Sequence, residues 1–295
     1  EITTRLVGSE MCIRDRDNSL VGTAGMTRKI NRYSASNATQ KLAMGAGNTE
    51  SIEVTYAPFE YKILMAQNRF EYYDEQEMTD PMLVPVGVRH MGTDMFNTVN
   101  ADIFAEFNKA TQVIVVSALN FDAFADAQAM YNLENIEGVN FFAFVSPADV
   151  AALRKALGLS LQYVESFVRS GYVGTVAGVN IYTKKDAVSG TICTATKQAV
   201  TLFNKKGVEV ETPPRDSSDA NTRKNTIFSR KYYLPALTDE RYAVKIVKGT
   251  AAVSTDTTVT AGKTYYTKSG LGYVAVVPAE SDSPKTKGWY EITAA

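Results

Sequence analysis

The feature that most constrains this chain is a change of hydrophobic period at Asp80-Pro81. Upstream, within residues 51–78, Phe59, Tyr61, Ile63 and Met65 alternate with Glu60, Lys62 and Leu64. A period of two sends successive side chains to opposite faces of an extended backbone, so this stretch predicts paired strands in a hairpin. Downstream, Val84, Val88, Met91, Met95, Val99, Ile103 and Phe107 recur at steps of three or four. That spacing gathers them on one face of a single helix over residues 80–110. At a rise of about 1.5 Å per residue such a helix is on the order of 40 Å long and can act as a beam across a subunit.

The region after the beam alternates strands with short helices. Residues 113–116 are a β-branched run, and Phe121, Phe124, Met130 and Tyr131 suit one side of a short helix. Residues 139–145 read as a buried strand. Ser146-Pro147-Ala148-Asp149 then supplies an N-cap serine, a proline at the first helical position and an acid at the third, which starts a helix carrying Val150, Leu153 and Leu157. Residues 171–182 read as a glycine-punctuated strand pair, and 191–203 and 207–211 continue as strands. Pro213-Pro214 with Asp216 and Asp219 marks a loop, and residues 226–234 and 241–247 are the last strands of the main body. Strands and helices without a regular βαβ repeat predict an α+β fold.

Composition excludes several function classes. At 295 residues and 45% hydrophobic content the chain can bury a substantial core and divide into more than one domain. A formal net charge of -1 gives no overall attraction for nucleic acid or an anionic membrane. No apolar run has the length a bilayer requires. Two cysteines, Cys12 and Cys193, make neither a disulfide framework nor a zinc site, and His90 is the sole histidine. Glu71, Asp74, Glu75 and Glu77 lack the ligand order and glycine turn of a calcium loop. There is no phosphate-binding glycine loop and no nucleophile elbow. We therefore expect no enzyme activity, no metal and no cofactor, and a protein that works by its contacts.

Both ends differ from the middle. The run Leu-Val-Gly-Ser-Glu-Met-Cys-Ile-Arg-Asp-Arg ending at Arg16 resembles the translated read-through of a sequencing adapter, so residues 1–20, with Cys12, are set aside from the fold. Residues 21–49 are rich in Gly, Ser, Ala and Asn, carry Arg28, Lys29, Arg32 and Lys41, and contain no acidic residue. They read as an extended basic arm, either solvated or lying on a neighbouring subunit or a polyanion. Residues 249–295 are rich in Thr, Val, Tyr and Gly and read as a small all-β appendage. Its rings, Tyr265, Tyr266, Tyr273, Trp289 and Tyr290, either form the appendage's own core or stack on a surface glycan.

The order of these parts resembles the major capsid proteins of tailed bacteriophages, which have the Hong Kong 97-type fold. The resemblance rests on the run from Phe59 to Met78 leading directly into a helix at Asp80, and on the strand and cap Phe141-Phe142-Ala143-Phe144-Val145-Ser146-Pro147. It rests also on Val176-Ala177-Gly178-Val179-Asn180-Ile181-Tyr182 and the return over 226–247. It implies an arm at 21–49, an extended β-hairpin loop at 50–79, a peripheral domain with the spine helix at 80–135 and an axial domain at 136–248, followed by the appendage from 249. It further implies self-assembly through pentamers and hexamers into an icosahedral shell around double-stranded DNA, in the cytoplasm of a bacterial host, with a scaffolding protein and a portal as further partners. Arg28, Lys29, Arg32, Lys62, Arg69, Glu71, Asp74 and Glu75 are then the candidate intersubunit contacts. An encapsulin-like compartment and a glycan-binding surface adhesin are the alternatives.

Overall fold

The computed structural model describes residues 16–36, 38–133, 139–160, 174–256, 258–281 and 289–294. The adapter-like run before Arg16, Cys12 and the start of the strand pair at 171–173 lie outside the described residues. In chain order the first elements are β1 (Arg16–Asp17), β2 (Thr27–Ala35), β3 (Val54–Lys62), β4 (Leu64–Tyr73), α1 (Asp74–Thr79) and α2 (Leu83–Phe107). Next come β5 (Gln112–Val116), α3 (Phe121–Met130), β6 (Phe141–Val145), α4 (Pro147–Ser160), β7 (Thr175–Val176), β8 (Val179–Thr183) and β9 (Thr191–Thr196). The chain continues through β10 (Val200–Glu211), α5 (Ser217–Thr222), β11 (Lys224–Leu237) and β12 (Ala243–Val253) to β13 (Tyr265–Ser269), β14 (Gly272–Val276) and β15 (Trp289–Ala294). These elements form two compact units, Arg16–Val99 with Leu202–Thr238, and Asn100–Thr201 with Asp239–Ala295.

In the first unit the two alternating runs do not pair with each other, contrary to the hairpin expected at 50–79. β3 pairs antiparallel with β2, from Thr27 opposite Lys62 to Ala35 opposite Val54. β4 pairs instead with β11, from Lys224 opposite Tyr73 to Tyr233 opposite Leu64, in a four-stranded sheet ordered β1-β10-β11-β4. The reason is local. Only Ile63 separates β3 from β4, whereas a hairpin reversal needs at least about two residues with glycine-like or asparagine-like freedom. Ile63 is buried, and its N–H donates to the Met26 carbonyl at 2.8 Å, so the chain passes from one sheet to the other without reversing. Pro58 sits in β3, which a ribbon tolerates because its missing N–H can face the open edge. The basic arm thus supplies one strand of the ribbon.

The boundary at residue 20 also falls too late. β1 pairs in parallel with Leu202 and Phe203, and Leu20, only 4% exposed, belongs to a core cluster with Ile63, Phe203, Leu234 and Ala236. Adapter-like composition carries no information about which flanking side chain the fold buries. The region around Asp216, expected as loop, contains α5, because the Asp216 carboxylate accepts the Asp219 N–H at 2.7 Å and caps one helical turn.

The helix α2 begins three residues after Asp80, whose side chain accepts the Met82 N–H at 2.9 Å. Met91, Met95, Val99, Ile103 and Phe107 are buried as the spacing predicts. Val88 is exposed and Val84 half-buried, so the buried stripe starts only at Met91.

The second unit is a nine-stranded mixed sheet ordered β15-β13-β14-β5-β12-β9-β6-β8-β7. Phe107 meets Phe142 and Phe144 with ring centroids 5.5 and 5.4 Å apart, and Tyr131, Phe141, Leu153, Val179 and Ile246 lie in its core cluster. The cap of α4 forms as read. The Ser146 hydroxyl accepts the Asp149 N–H at 3.2 Å and donates to the Asp149 carboxylate at 2.8 Å. That carboxylate also accepts from the Ser189 hydroxyl and the Gly190 N–H, at 3.0 and 2.9 Å, which fastens the helix start to the loop before β9.

The appendage expected from residue 249 is not separate. β12 runs through the boundary, pairing in parallel with β5 up to Lys248 and antiparallel with β15 from Gly249 onward. β15 pairs with β13, β13 with β14, and β14 with β5, so these five strands close into a ring. Gly249 marks the change of partner, where a Cβ would lie 2.1 Å from the Thr293 carbonyl oxygen. The compositional shift at 249 is a shift in residue type within one continuous sheet.

Candidate assembly surface

The ribbon of β2 and β3 has two faces of different character. At its base Arg28, Ile30, Arg32, Phe59 and Tyr61 share one face, and Ile30 and Tyr61 pack against the cluster around Leu234. Arg28 lies over the Phe203 ring at 5.5 Å. The opposite face carries Tyr33 and Tyr56, directly paired across the strands, with ring centroids 6.3 Å apart and exposures of 69% and 65%. Val54 on β3 and Leu42, Met44 and Ile52 in the loop between the strands are also exposed. Of the residues of β3 only Tyr61 is even half-buried. A two-stranded ribbon is marginal alone in water, and this one displays large apolar groups over a length on the order of 30 Å. A surface of that kind marks an interaction site.

A concave surface lies in the same unit. A groove of about 400 Å³ runs between β4 and the first turns of α2, lined by Phe70, Leu83, Val86, Gly87, His90 and Met91 among others. Gly87 lets the helix approach the strand closely there, because a Cβ would lie 2.5 Å from the Phe70 ring and force it to move. Asn68 fixes the strand to the helix by donating to the Met91 carbonyl at 2.9 Å. His90, the lone histidine, lines this groove and is exposed. Met78, Met82 and Val88 are exposed on the same stretch of chain.

The acidic candidates are engaged within the chain. Glu71 pairs with Lys224 at 2.9 Å and with Arg69 at 3.4 Å. Asp74 pairs with Arg215 and accepts from the Asn225 amide at 2.8 Å, and Glu75 pairs with Arg223. The Lys224 hydrogen bond holds the Glu71 carboxyl below its ordinary range, and Arg215 with Asn225 does the same for Asp74. Glu75 is lowered first by its own backbone N–H and then by Arg223. Their partners Arg215, Arg223 and Lys224 escaped the sequence reading because 141 and 148 residues separate the first two from the acids they meet. The available signal was complementary charge, basic at the start of β11 and acidic at the end of β4. Lys29 and Lys62 remain as exposed residues of the ribbon.

This arrangement has a pH signature. The three folded-state values lie below the unfolded ones, so the pairs stabilise fully above the ordinary value of 4.5 for a glutamate, and that contribution is lost as pH falls through the lowered values. The melting temperature should fall below pH 4.5, by a small amount because the pairs face solvent. In Glu71→Gln with Asp74→Asn that fall should shrink. An equal acid shift in parent and double variant, measured by thermal melting between about pH 3 and 6, would place the acid sensitivity elsewhere.

The C-terminal aromatics divide. Tyr265 is 0% exposed, with its ring 5.1 Å from that of Trp289, and its hydroxyl donates to Asp256 at 2.9 Å. It is core and cannot meet a glycan, a correction to the ligand reading for this residue. Tyr266, Tyr273, Trp289 and Tyr290 are half-buried, with Tyr266 opposite Tyr290, and Tyr273 in edge contact with Tyr290 at 5.2 Å. Lys263 bridges Asp256 at 2.8 Å and Glu291 at 3.1 Å, which holds its ammonium strongly in the charged form. These contacts knit the loops of the strand ring together.

Cys193 is buried, its thiol donates to the Phe107 carbonyl at 3.2 Å, and burial pushes its pKa up to about 12. Among the described residues no three His, Cys, Asp or Glu side chains gather in a metal-holding group, and no helix is long and apolar enough to cross a membrane.

The fold is similar to that of solved phage capsid proteins. It superposes on the capsid of cyanophage P-SCSP1u with a TM-score of 0.60, at 13% identity over 80% of this chain and 86% of that one. It superposes equally, at 0.60, on a protein of Mycobacterium phage Che8, at 15% identity over 78% of this chain and 90% of that one. In sequence the chain is related to the major capsid protein of Staphylococcus phage phiMR11, 26% identical over 170 residues, which is 56% of this chain and 60% of that relative. No protein-family model matches the chain.

Proposed function

We propose that this chain is the major capsid protein of a tailed phage, with the Hong Kong 97-type arrangement, and that its copies assemble into the icosahedral shell enclosing the genome. The observation that carries the reading is the ribbon: a projecting, largely exposed strand pair with Tyr33, Tyr56 and Val54 in water. The exposed ribbon and the groove beside α2 are different surfaces, so a contact that seats one copy's ribbon on another copy's groove is heterologous. Heterologous contacts close into rings such as pentamers and hexamers, and bury the order of 1,000 Å² that a specific interface requires. The shell would form in the bacterial cytoplasm, with a scaffolding protein and a portal as partners. Its DNA would be enclosed without sequence-specific binding, and no catalytic role is assigned. The phage origin of the sequence relative favours this reading over an encapsulin-like compartment. The joining of β13 to β15 to the main sheet weighs against an adhesin with a separate C-terminal module.

The ribbon can be tested directly. Tyr33→Ser with Tyr56→Ser should leave the melting temperature of the subunit within a few degrees of the parent, because neither side chain is buried. Shells seen by electron microscopy in the parent should be replaced by free subunits. A double variant that forms shells as the parent does would remove the ribbon from the assembly contact.

A further inference from the structure

Arg32 was expected at an intersubunit contact, and its surroundings point to a different task. It leaves β2 opposite Ala57 and runs back along the ribbon toward the body. Its guanidinium lies over the Phe59 ring at 3.9 Å, donates to the Tyr61 hydroxyl at 3.0 Å and reaches the Leu237 carbonyl at 2.6 Å. Tyr61 donates to that same carbonyl at 3.2 Å. Leu237 is the last residue of β11, the strand that carries β4 and hence the body of this unit.

From this geometry we infer that Arg32 is a positioning residue that sets the angle at which the ribbon projects, so that the ribbon arrives on the next copy already oriented. The inference rests on the assembly reading above. Besides Arg32, the ribbon is tied to the body by its two strand ends near Met26 and Ile63, by Arg28 over Phe203, by the packing of Ile30 and Tyr61, and by the Tyr61 hydroxyl on the Leu237 carbonyl. These ties lie at the ribbon's base, and Arg32, which starts further along β2, extends the hold outward. A planar guanidinium that stacks on one ring, meets one hydroxyl and meets one carbonyl resists both bending and twisting, which a single ammonium on a flexible stem does not. Ordering the ribbon before contact removes an entropy cost from each intersubunit encounter. The basic character of the arm is therefore in part spent within the chain.

The test compares the parent chain with Arg32→Ala, Arg32→Lys and Tyr61→Phe. Amide exchange over β2 and β3 should accelerate in Arg32→Ala while exchange in the four-stranded sheet stays at the parent rate. Shell formation followed by light scattering should fall roughly tenfold or more, in keeping with loss of a charged hydrogen bond. Arg32→Lys should fall between parent and Arg32→Ala, and Tyr61→Phe should show a smaller loss with Arg32 still on the Leu237 carbonyl. Assembly of Arg32→Ala at the parent rate overturns the inference, and leaves the capsid reading intact because the parent assembles. A parent that does not assemble removes the capsid reading itself. Should Arg32→Ala not fold, Tyr61→Phe decides: unchanged ribbon exchange with unchanged assembly overturns the inference.

Discussion

Val99→Asp should not fold. Val99 is 1% exposed in the middle of the buried stripe of α2, between buried Met95 and Ile103. An unpaired charge at such a site costs on the order of 3–5 kcal/mol, a large part of the roughly 5–15 kcal/mol that stabilises a domain. Asn97→Asp places the same charge two residues away on the exposed face and should melt close to the parent. Circular dichroism and thermal melting of both variants check this. If Val99→Asp melts as the parent does, the buried face of the helix is assigned wrongly.

A chain ended after Lys248 should also fail to fold, and the failure should be of a different kind. The cut divides β12 and removes β13 to β15, which opens the strand ring and bares the edge of β5 that β14 covers. Buried Val259 and Tyr265 are deleted with it, each worth about 1.5–3 kcal/mol of burial. The exposed edges should make the product aggregate. An independent appendage would instead leave a soluble chain that melts and assembles normally, and that outcome, seen by melting and light scattering of the truncated protein, would contradict the ring.

What the residues disclosed and what they hid follow from one physical distinction. Patterns that a single element satisfies were legible. The steps of three or four from Met91 to Phe107 fixed the helix, and Ser146-Pro147 with Asp149 fixed the start of α4, because periodicity and capping act within a few residues. Pairing between distant strands was not legible. Alternation shows that 54–62 and 64–73 are strands, but nothing in it says that one pairs with 27–35 and the other with 224–233. Val84 and Val88 fit the helical face yet remain outside the buried stripe, since periodicity names a face without saying how far its cover extends. The ion pairs of Asp74 and Glu75, and the role of Arg32, depend on contacts across more than a hundred residues and became visible only in three dimensions. At the C-terminus a change of composition suggested a domain boundary that sheet continuity removes.

Electron microscopy of the expressed chain, alone and with a scaffolding protein, tests the central claim most directly. Closed shells or rings of capsomers are the predicted result. A protein that stays monomeric by light scattering under both conditions, with its fold intact by circular dichroism, would contradict it.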